Sequence, residues 1–199
     1  MIAIIDYGAG NLMSVKNALD FLGAKSKITS DAEEILAADK VILPGVGAFG
    51  DAMESLNKSG LSDVVRTVAK SDVPLLGICL GLQLMFEESE ESGGVKGLGI
   101  LKGRVVKIPD RGLKIPHIGW NSLETSGDSK ILSGADKSFV YFVHSYYIQP
   151  DDESIVSAYT EYGERLAVAA EKGNVFAVQF HPEKSGETGM EILKKFIQI

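Results

Sequence analysis

An α/β fold, with a central, mostly parallel sheet flanked by helices and extra antiparallel strands in the second half, is predicted by three observations. Over the first half of the chain, short β-rich runs alternate with stretches of helical periodicity, the pattern of parallel strands joined by crossover helices. Val73–Ile78 reads as a buried strand that passes straight into a helical pattern. Beyond about residue 104, short strands follow one another with turns such as Tyr162-Gly163-Glu164 and Lys172-Gly173-Asn174 between them.

The elements follow in order. Met1–Asp6 is a strand and Tyr7–Asn11 a turn. Leu12–Leu22 is a helix, with Leu12, Val15, Leu19 and Leu22 at helical spacing and Gly23 as its C-terminal stop. Ser26–Thr29 is a strand, Ala32–Ala38 a short helix, and Lys40–Leu43 a strand stopped by Pro44-Gly45. Helices are predicted over Asp51–Leu56 and Leu61–Ala69, then the strand Val73–Ile78 and a helix over Leu80–Glu87. The second half gives strands at Arg104–Ile108, Ile118–Leu123, Phe139–Val143, Tyr146–Gln149, Ile155–Tyr159, Ala167–Glu171 and Val175–Gln179. A helix from about Thr188 to Ile197 closes the chain, with Met190, Leu193 and Ile197 on one face. No repeat or linker interrupts residues 1–199, so a single domain is expected.

Composition narrows the function. The 199 residues are 45% hydrophobic and 24% charged, an ordinary globular mix. A net charge of −7 argues against general nucleic-acid binding. One cysteine excludes an internal disulfide framework and a multi-cysteine zinc site. The histidines, His117, His144 and His181, are far apart and lack the HExxH pattern, so no metal is called for. No basic n-region precedes the first apolar run, and no stretch approaches the ~18 apolar residues of a membrane span. A cytoplasmic protein is expected.

The single cysteine stands in Gly77-Ile78-Cys79-Leu80-Gly81, which fits G-x-nucleophile-x-G with a strand before it and a helix after. A nucleophile on so tight a turn presses its neighbours against strand and helix, and flanking glycines remove those clashes. The turn lifts the sulfur to the carboxyl edge of the sheet, at a helix N-terminus that favours the thiolate. The N–H of Leu80 is placed to meet a developing oxyanion. A thiol needs a base, and the base needs a group that fixes its tautomer. His181, at the end of a β-rich run in Phe176–Ser185, is the candidate base. Pro182 biases it to an extended backbone, and Glu183, two residues on, lies on the same side of an extended segment. A third element, Ile42–Gly50, is a strand ending in a glycine-punctuated loop that can expose N–H groups to a ligand, with no GK[ST] to make it a phosphate loop.

Together, the G-x-C-x-G turn, the His-Pro-Glu near the C-terminus and the Pro-Gly-Val-Gly loop resemble the class I, triad-type glutamine amidotransferase family. Asp6–Val15, Pro44–Met53, Gly77–Glu91, Pro116–Asn121 and Phe142–Tyr147 are similar to the branch that supplies the glutaminase subunits of imidazole glycerol phosphate synthases. The resemblance spans almost the whole chain. It implies a flavodoxin-like fold, hydrolysis of glutamine to glutamate, and ammonia delivered to a (β/α)8-barrel cyclase in a heterodimer, with no cofactor. It implies Cys79 as nucleophile, His181 as base, Glu183 as its orienting group, and an oxyanion hole from Leu80 and the Val46–Gly47 segment. Gly47, Gln83, Glu91, His144, Ser145 and Tyr146 match glutamine-binding positions. Of the acidic run Glu87–Glu91, only Glu91 is given a role, as partner of the substrate ammonium. Asn11, Trp120, Asn121 and Lys184 match the partner face, and His117 is read as structural. The alternatives are an amidotransferase subunit of another synthase, which Pro116–Asn121 and Asp6–Asn11 argue against, a free-standing cysteine hydrolase, and a non-enzymatic assembly subunit that keeps the fold, which the joint presence of Cys79, His181 and Glu183 argues against.

Overall fold

Alternation along each strand sorts the core into two layers, one on each face of a central sheet. The computed structural model describes all 199 residues. In chain order they form β1 (Ile2–Ile5), α1 (Leu12–Phe21), β2 (Ser26–Thr29), α2 (Ala32–Leu36), β3 (Lys40–Gly45), α3 (Phe49–Lys58), α4 (Leu61–Lys70), β4 (Leu75–Cys79), α5 (Leu80–Leu84) and β5 (Glu88–Ser89). Then come β6 (Gly103–Lys107), β7 (His117–Ser122), β8 (Glu124–Thr125), β9 (Phe139–His144), β10 (Tyr146–Pro150), β11 (Val156–Glu161), β12 (Arg165–Lys172), β13 (Val175–Val178) and α6 (Gly186–Gln198).

The main sheet runs β2-β1-β3-β4-β13-β12-β10-β6-β5, and its first five strands are parallel. The next three pairings, β13 to β12 to β10 to β6, are antiparallel, and β11 and β8 extend from β12. β7 and β9 form a separate antiparallel ribbon. Ala3, Ile5, Val41, Leu43, Leu75 and Ala177 face one layer with α2, α3, α4 and α5. Ile2, Ile4, Ile42, Leu76, Ile78 and Val178 face the other, with α1 and α6. Both faces of β1, β3, β4 and β13 are therefore dry, which is why these strands read as almost unbroken apolar runs. No helix is long and apolar enough to cross a membrane.

Three expectations need correction. β3 does not stop at Leu43 but continues through Pro44 and Gly45. β1 pairs with it only as far as Ile42 while β4 runs alongside to Cys79, so Pro44 lies where one flank is already unpaired. A missing N–H is tolerated at such a position. The helix over Leu80–Glu87 ends at Leu84. The Leu84, Met85 and Phe86 carbonyls accept instead from the N–H groups of Leu98, Ile100 and Gly99, so the chain after Leu84 is tied to a crossing loop. Pro182–Lys184 is a single 3-10 turn rather than an extended segment, closed by the Lys184 N–H on the His181 carbonyl.

β4 must approach β3 closely for α5 to start where it does. A Cβ on Gly81 would overlap the Leu43 carbonyl oxygen, and a Cβ on Gly45 would come within 2.8 Å of Gly81 N. Gly81→Ala is therefore expected to destabilise the chain by about 3 kcal/mol through overpacking against backbone. For a chain of this size that is a fall in Tm of about 6–12 °C, read by circular dichroism. An unchanged Tm would mean that the two backbones part without cost.

Candidate active site

Three neighbouring parallel strands end at one edge of the sheet. Gly45 of β3 pairs with Cys79 of β4, and Val178 of β13 pairs with Ile78. The residues just past those ends therefore converge: Val46 and Gly47 after β3, Cys79 and Leu80 at the β4–α5 junction, and Gln179 to His181 after β13. Carboxyl ends of parallel strands are where open α/β sheets hold ligands. A cavity of about 390 Å³ opens there, within the range of small-molecule sites.

Cys79 has φ 55° and ψ −111°, one of only two non-glycine residues at positive φ. A non-glycine residue held in so sparsely populated a conformation costs about 1–3 kcal/mol and persists only where its surroundings enforce it. Here they do: β4 is buried on both sides up to Cys79, and α5 is buried along its length immediately after.

His181 is clamped through its backbone. Its N–H donates to the Tyr141 carbonyl (3.0 Å), its carbonyl accepts from the Ser185 hydroxyl (2.6 Å), and Ser185 Oγ accepts from the Tyr141 N–H (2.9 Å). Its Nδ1 lies 2.8 Å from Glu183 Oε1, and both side chains are almost fully buried. Nε2 is sealed from solvent and makes no hydrogen bond. It is the ring nitrogen left for the Cys79 thiol, which lines the same cavity and acts on the ring's charge. Burial opposes the imidazolium, but the Cys79 sulfur and the Glu183 carboxylate outweigh it and raise the pKa to about 9. His181 thus carries a proton at neutral pH.

The cavity wall contains Val46, Gly47, Leu80, Gln83, Glu91, His144, Ser145, Tyr146 and Lys184 beside Cys79 and His181. All the sequence-derived oxyanion and glutamine positions are therefore brought together. Gly47 has φ 97°, and Val46 is exposed. Gln83, one turn after Cys79, is buried and donates to the Tyr146 carbonyl (3.2 Å) and to Gln179 Oε1 (3.0 Å). Glu91 Oε2 accepts the Phe49 N–H at the start of α3 (2.8 Å). Its acidic neighbours are not simply solvated: Glu87 accepts from Lys102 and the Gly103 N–H, and Glu90 from the Lys107 N–H, tying this loop to β6.

Asn11, Trp120 and Asn121 lie outside the cavity, while Lys184 lines it. Trp120 is more than half exposed and meets Tyr141 edge-on, and Lys184 Nζ lies 6.0 Å from the centre of the Tyr141 ring. Asn121 turns inward, donating to the Glu161 carbonyl (2.8 Å).

Sequence reasoning missed two residues. Gln179 is fully buried and its Nε2 donates to Cys79 Sγ at 3.7 Å. The signal was a lone amide in the apolar run Val175–Phe180, two residues before His181, because a buried polar group needs a partner. Tyr7 is buried and donates to the Pro44 carbonyl (3.0 Å), at the root of the Val46–Gly47 segment. Burial first, then the charge of Cys79, push its phenol well above the usual range.

Known proteins resemble this chain along its whole length. The family profile "Glutamine amidotransferase class-I" matches residues 3–199. The chain belongs to the class-I glutamine amidotransferase family. An imidazole glycerol phosphate synthase subunit HisH from Moorella thermoacetica is 54% identical over 196 residues, covering 98% of this chain and 93% of that protein. A protein of the same name from Methanocaldococcus jannaschii is 50% identical and covered end to end. Among solved structures, a glutamine amidotransferase superposes with a TM-score of 0.78 at 21% identity, covering 100% of this chain and 98% of that one. PurLQS from Thermotoga maritima gives 0.75 at 19%, covering 99% and 97%. At those identities the structures speak for the flavodoxin-like amidotransferase fold alone.

The raised His181 pKa has a signed consequence. Its stabilising share is complete below pH 6.5 and is lost as the pH climbs through about 9. Glu183→Gln removes one of the two supports of the imidazolium, so the His181 pKa should fall by about one unit or more. Titration by ¹H–¹⁵N NMR measures this, and an unmoved pKa would remove Glu183 as a support.

Proposed function

We propose that this class-I amidotransferase is the glutaminase subunit of an imidazole glycerol phosphate synthase, with Cys79 as its nucleophile. The observation that carries it is the convergence of Cys79, His181 and the Val46–Gly47 segment around one cavity, with Glu183 bonded to His181 behind it, in a chain half identical to HisH subunits along its length.

The Cys79 thiolate adds to the side-chain carbonyl carbon of glutamine. The negative charge on the carbonyl oxygen rests on the Leu80 N–H and on an N–H of the Val46–Gly47 segment. His181 gives its proton to the departing nitrogen as the C–N bond breaks, leaving a glutamyl thioester and ammonia. Water then loses a proton to His181 and attacks the thioester, restoring the thiolate and releasing the γ-carboxylic acid, which ionises to glutamate by giving its proton to solvent. Atoms and charge balance with glutamine and water alone, so no cofactor is called for.

Gly47, Gln83, Glu91, His144, Ser145 and Tyr146 hold the substrate, with the Glu91 carboxylate facing its ammonium. The ammonia is used by a (β/α)8-barrel cyclase bound as a heterodimer, on a phosphorylated ribulosyl aminoimidazole carboxamide nucleotide. The products are imidazole glycerol phosphate and an aminoimidazole carboxamide ribotide, a step of histidine biosynthesis. Asn11, Trp120, Asn121 and Lys184 are assigned to the partner face. The exposed side chains of Ile118, Trp120 and Phe139 on the β7–β9 ribbon support an apolar contact there.

Glutamate release should be slow for the chain alone and strongly stimulated by a matching cyclase with its nucleotide ligand. Equal rates in both states would favour a free-standing hydrolase. Cys79→Ala should abolish release with the fold intact by circular dichroism, and His181→Asn should cost at least ~10³-fold. Substantial activity in the first variant would overturn the nucleophile assignment.

A further inference from the structure

We infer that His117 is a positioning residue of the glutamine pocket: its Nδ1–H, donated to His144 Nε2, fixes the His144 tautomer and through it the Tyr146 carbonyl and the Gln83 amide. This rests on the cavity being the glutamine site.

The antiparallel register of β7 and β9 sets His117 directly opposite His144. Their facing nitrogens are 2.9 Å apart, and both rings are buried. On one side, His144 Nδ1 lies 2.9 Å from the Tyr146 carbonyl oxygen. On the other, Asn121 Nδ2 lies 3.4 Å from His117 Nε2.

The ends of this chain give it one polarity. A carbonyl only accepts, so His144 carries its hydrogen on Nδ1, and Nε2 of the neutral ring is an acceptor. His117 must then carry its hydrogen on Nδ1, which leaves Nε2 to accept from Asn121. The Asn121 amide cannot turn to contradict this, because its Oδ1 accepts the Ser122 N–H (2.8 Å) and its Nδ2 also donates to the Glu161 carbonyl (2.8 Å). Burial holds both rings neutral, with pKa values lowered to about 4 for His117 and about 3 for His144.

The fixed polarity reaches the pocket wall. The Tyr146 carbonyl that receives His144 also receives Gln83 Nε2, and Gln83 passes its second hydrogen to Gln179 Oε1. Without the His117 donor, His144 Nε2 is a buried acceptor with no partner, which carries a desolvation cost. Moving its hydrogen to Nε2 relieves that cost but breaks the bond to Tyr146. Gln83 is then held by one fewer fixed neighbour, in the wall where the substrate binds. The relay reaches Cys79 only at one further remove, through Gln179, and touches neither His181 nor Glu183, so the larger share of the loss falls on binding.

His117 also stacks between Phe142 and Tyr162, with ring centroids 4.8 and 4.0 Å away. Two substitutions separate the ring from the donor. His117→Phe keeps an aromatic ring and loses the N–H. His117→Asn loses the ring and puts an amide N–H near the position of Nδ1. With the cyclase and its nucleotide ligand present, His117→Phe should raise the KM for glutamine about tenfold, the price of one lost buried hydrogen bond, with kcat within about threefold. His117→Asn should stay near the parent KM. In parallel, ¹⁵N NMR of the chain should show His144 Nε2 unprotonated in the parent and in His117→Asn, and partly protonated in His117→Phe. The reverse ranking would make His117 a packing residue, and an unchanged KM and tautomer in all three proteins would equally overturn the inference. If the parent releases no glutamate, the proposed function fails, and the His144 tautomer in the three proteins still decides the question of the relay.

Discussion

The parallel pairing of β4 between β3 and β13 is the constraint on which the rest of the site depends. Its register sets Gly45 level with Cys79 and Val178 level with Ile78, so the three strands end together. A slip of one residue in any of them would exchange its two faces and send the apolar side chains of one layer into the other. Because both faces of these strands are buried, such a slip has no low-energy alternative. Cys79, which packs in one core layer, His181 and the loop that carries Val46 and Gly47 are thus positioned by core packing.

The three histidines show how surroundings decide charge. All are buried, and burial alone disfavours the imidazolium in each. His117 and His144 face a ring nitrogen, a carbonyl or an amide, and stay neutral. His181 faces a carboxylate and a thiol, and is held protonated up to about pH 9. One residue type therefore supplies a charged proton donor and a neutral pair of fixed polarity within one wall of the molecule.

Local chemistry was legible in the sequence, and contacts across long separations were not. The G-x-C-x-G turn announced its geometry because a Cβ at Gly81 would strike the Leu43 carbonyl and one at Gly77 would crowd Met85 and the Gly81 backbone. Glu183 could be paired with His181 because they are two residues apart, although the backbone between them makes a 3-10 turn. The extension of β3 through Pro44 depended on which neighbour ends first, and the early end of α5 on a loop some fifteen residues further on. The bond from Gln179 to Cys79 spans 100 positions, and that between His117 and His144 spans 27, so neither leaves a periodic trace. A buried polar residue in an apolar strand was the one hint available for Gln179.

The turn at Cys79 also sets a direction for sequence drift. Glycine relieves a positive φ at no steric cost, so the position proposed to carry the nucleophile is one where a glycine would make the folded chain more stable. Selection for thermal persistence alone would push residue 79 toward loss of the thiol, and only a demand for turnover holds it. A family member that has lost its cysteine but kept both flanking glycines would, on this physics, be a sturdier protein than its active relatives, and sturdiness in such a chain would be a sign of retirement from catalysis.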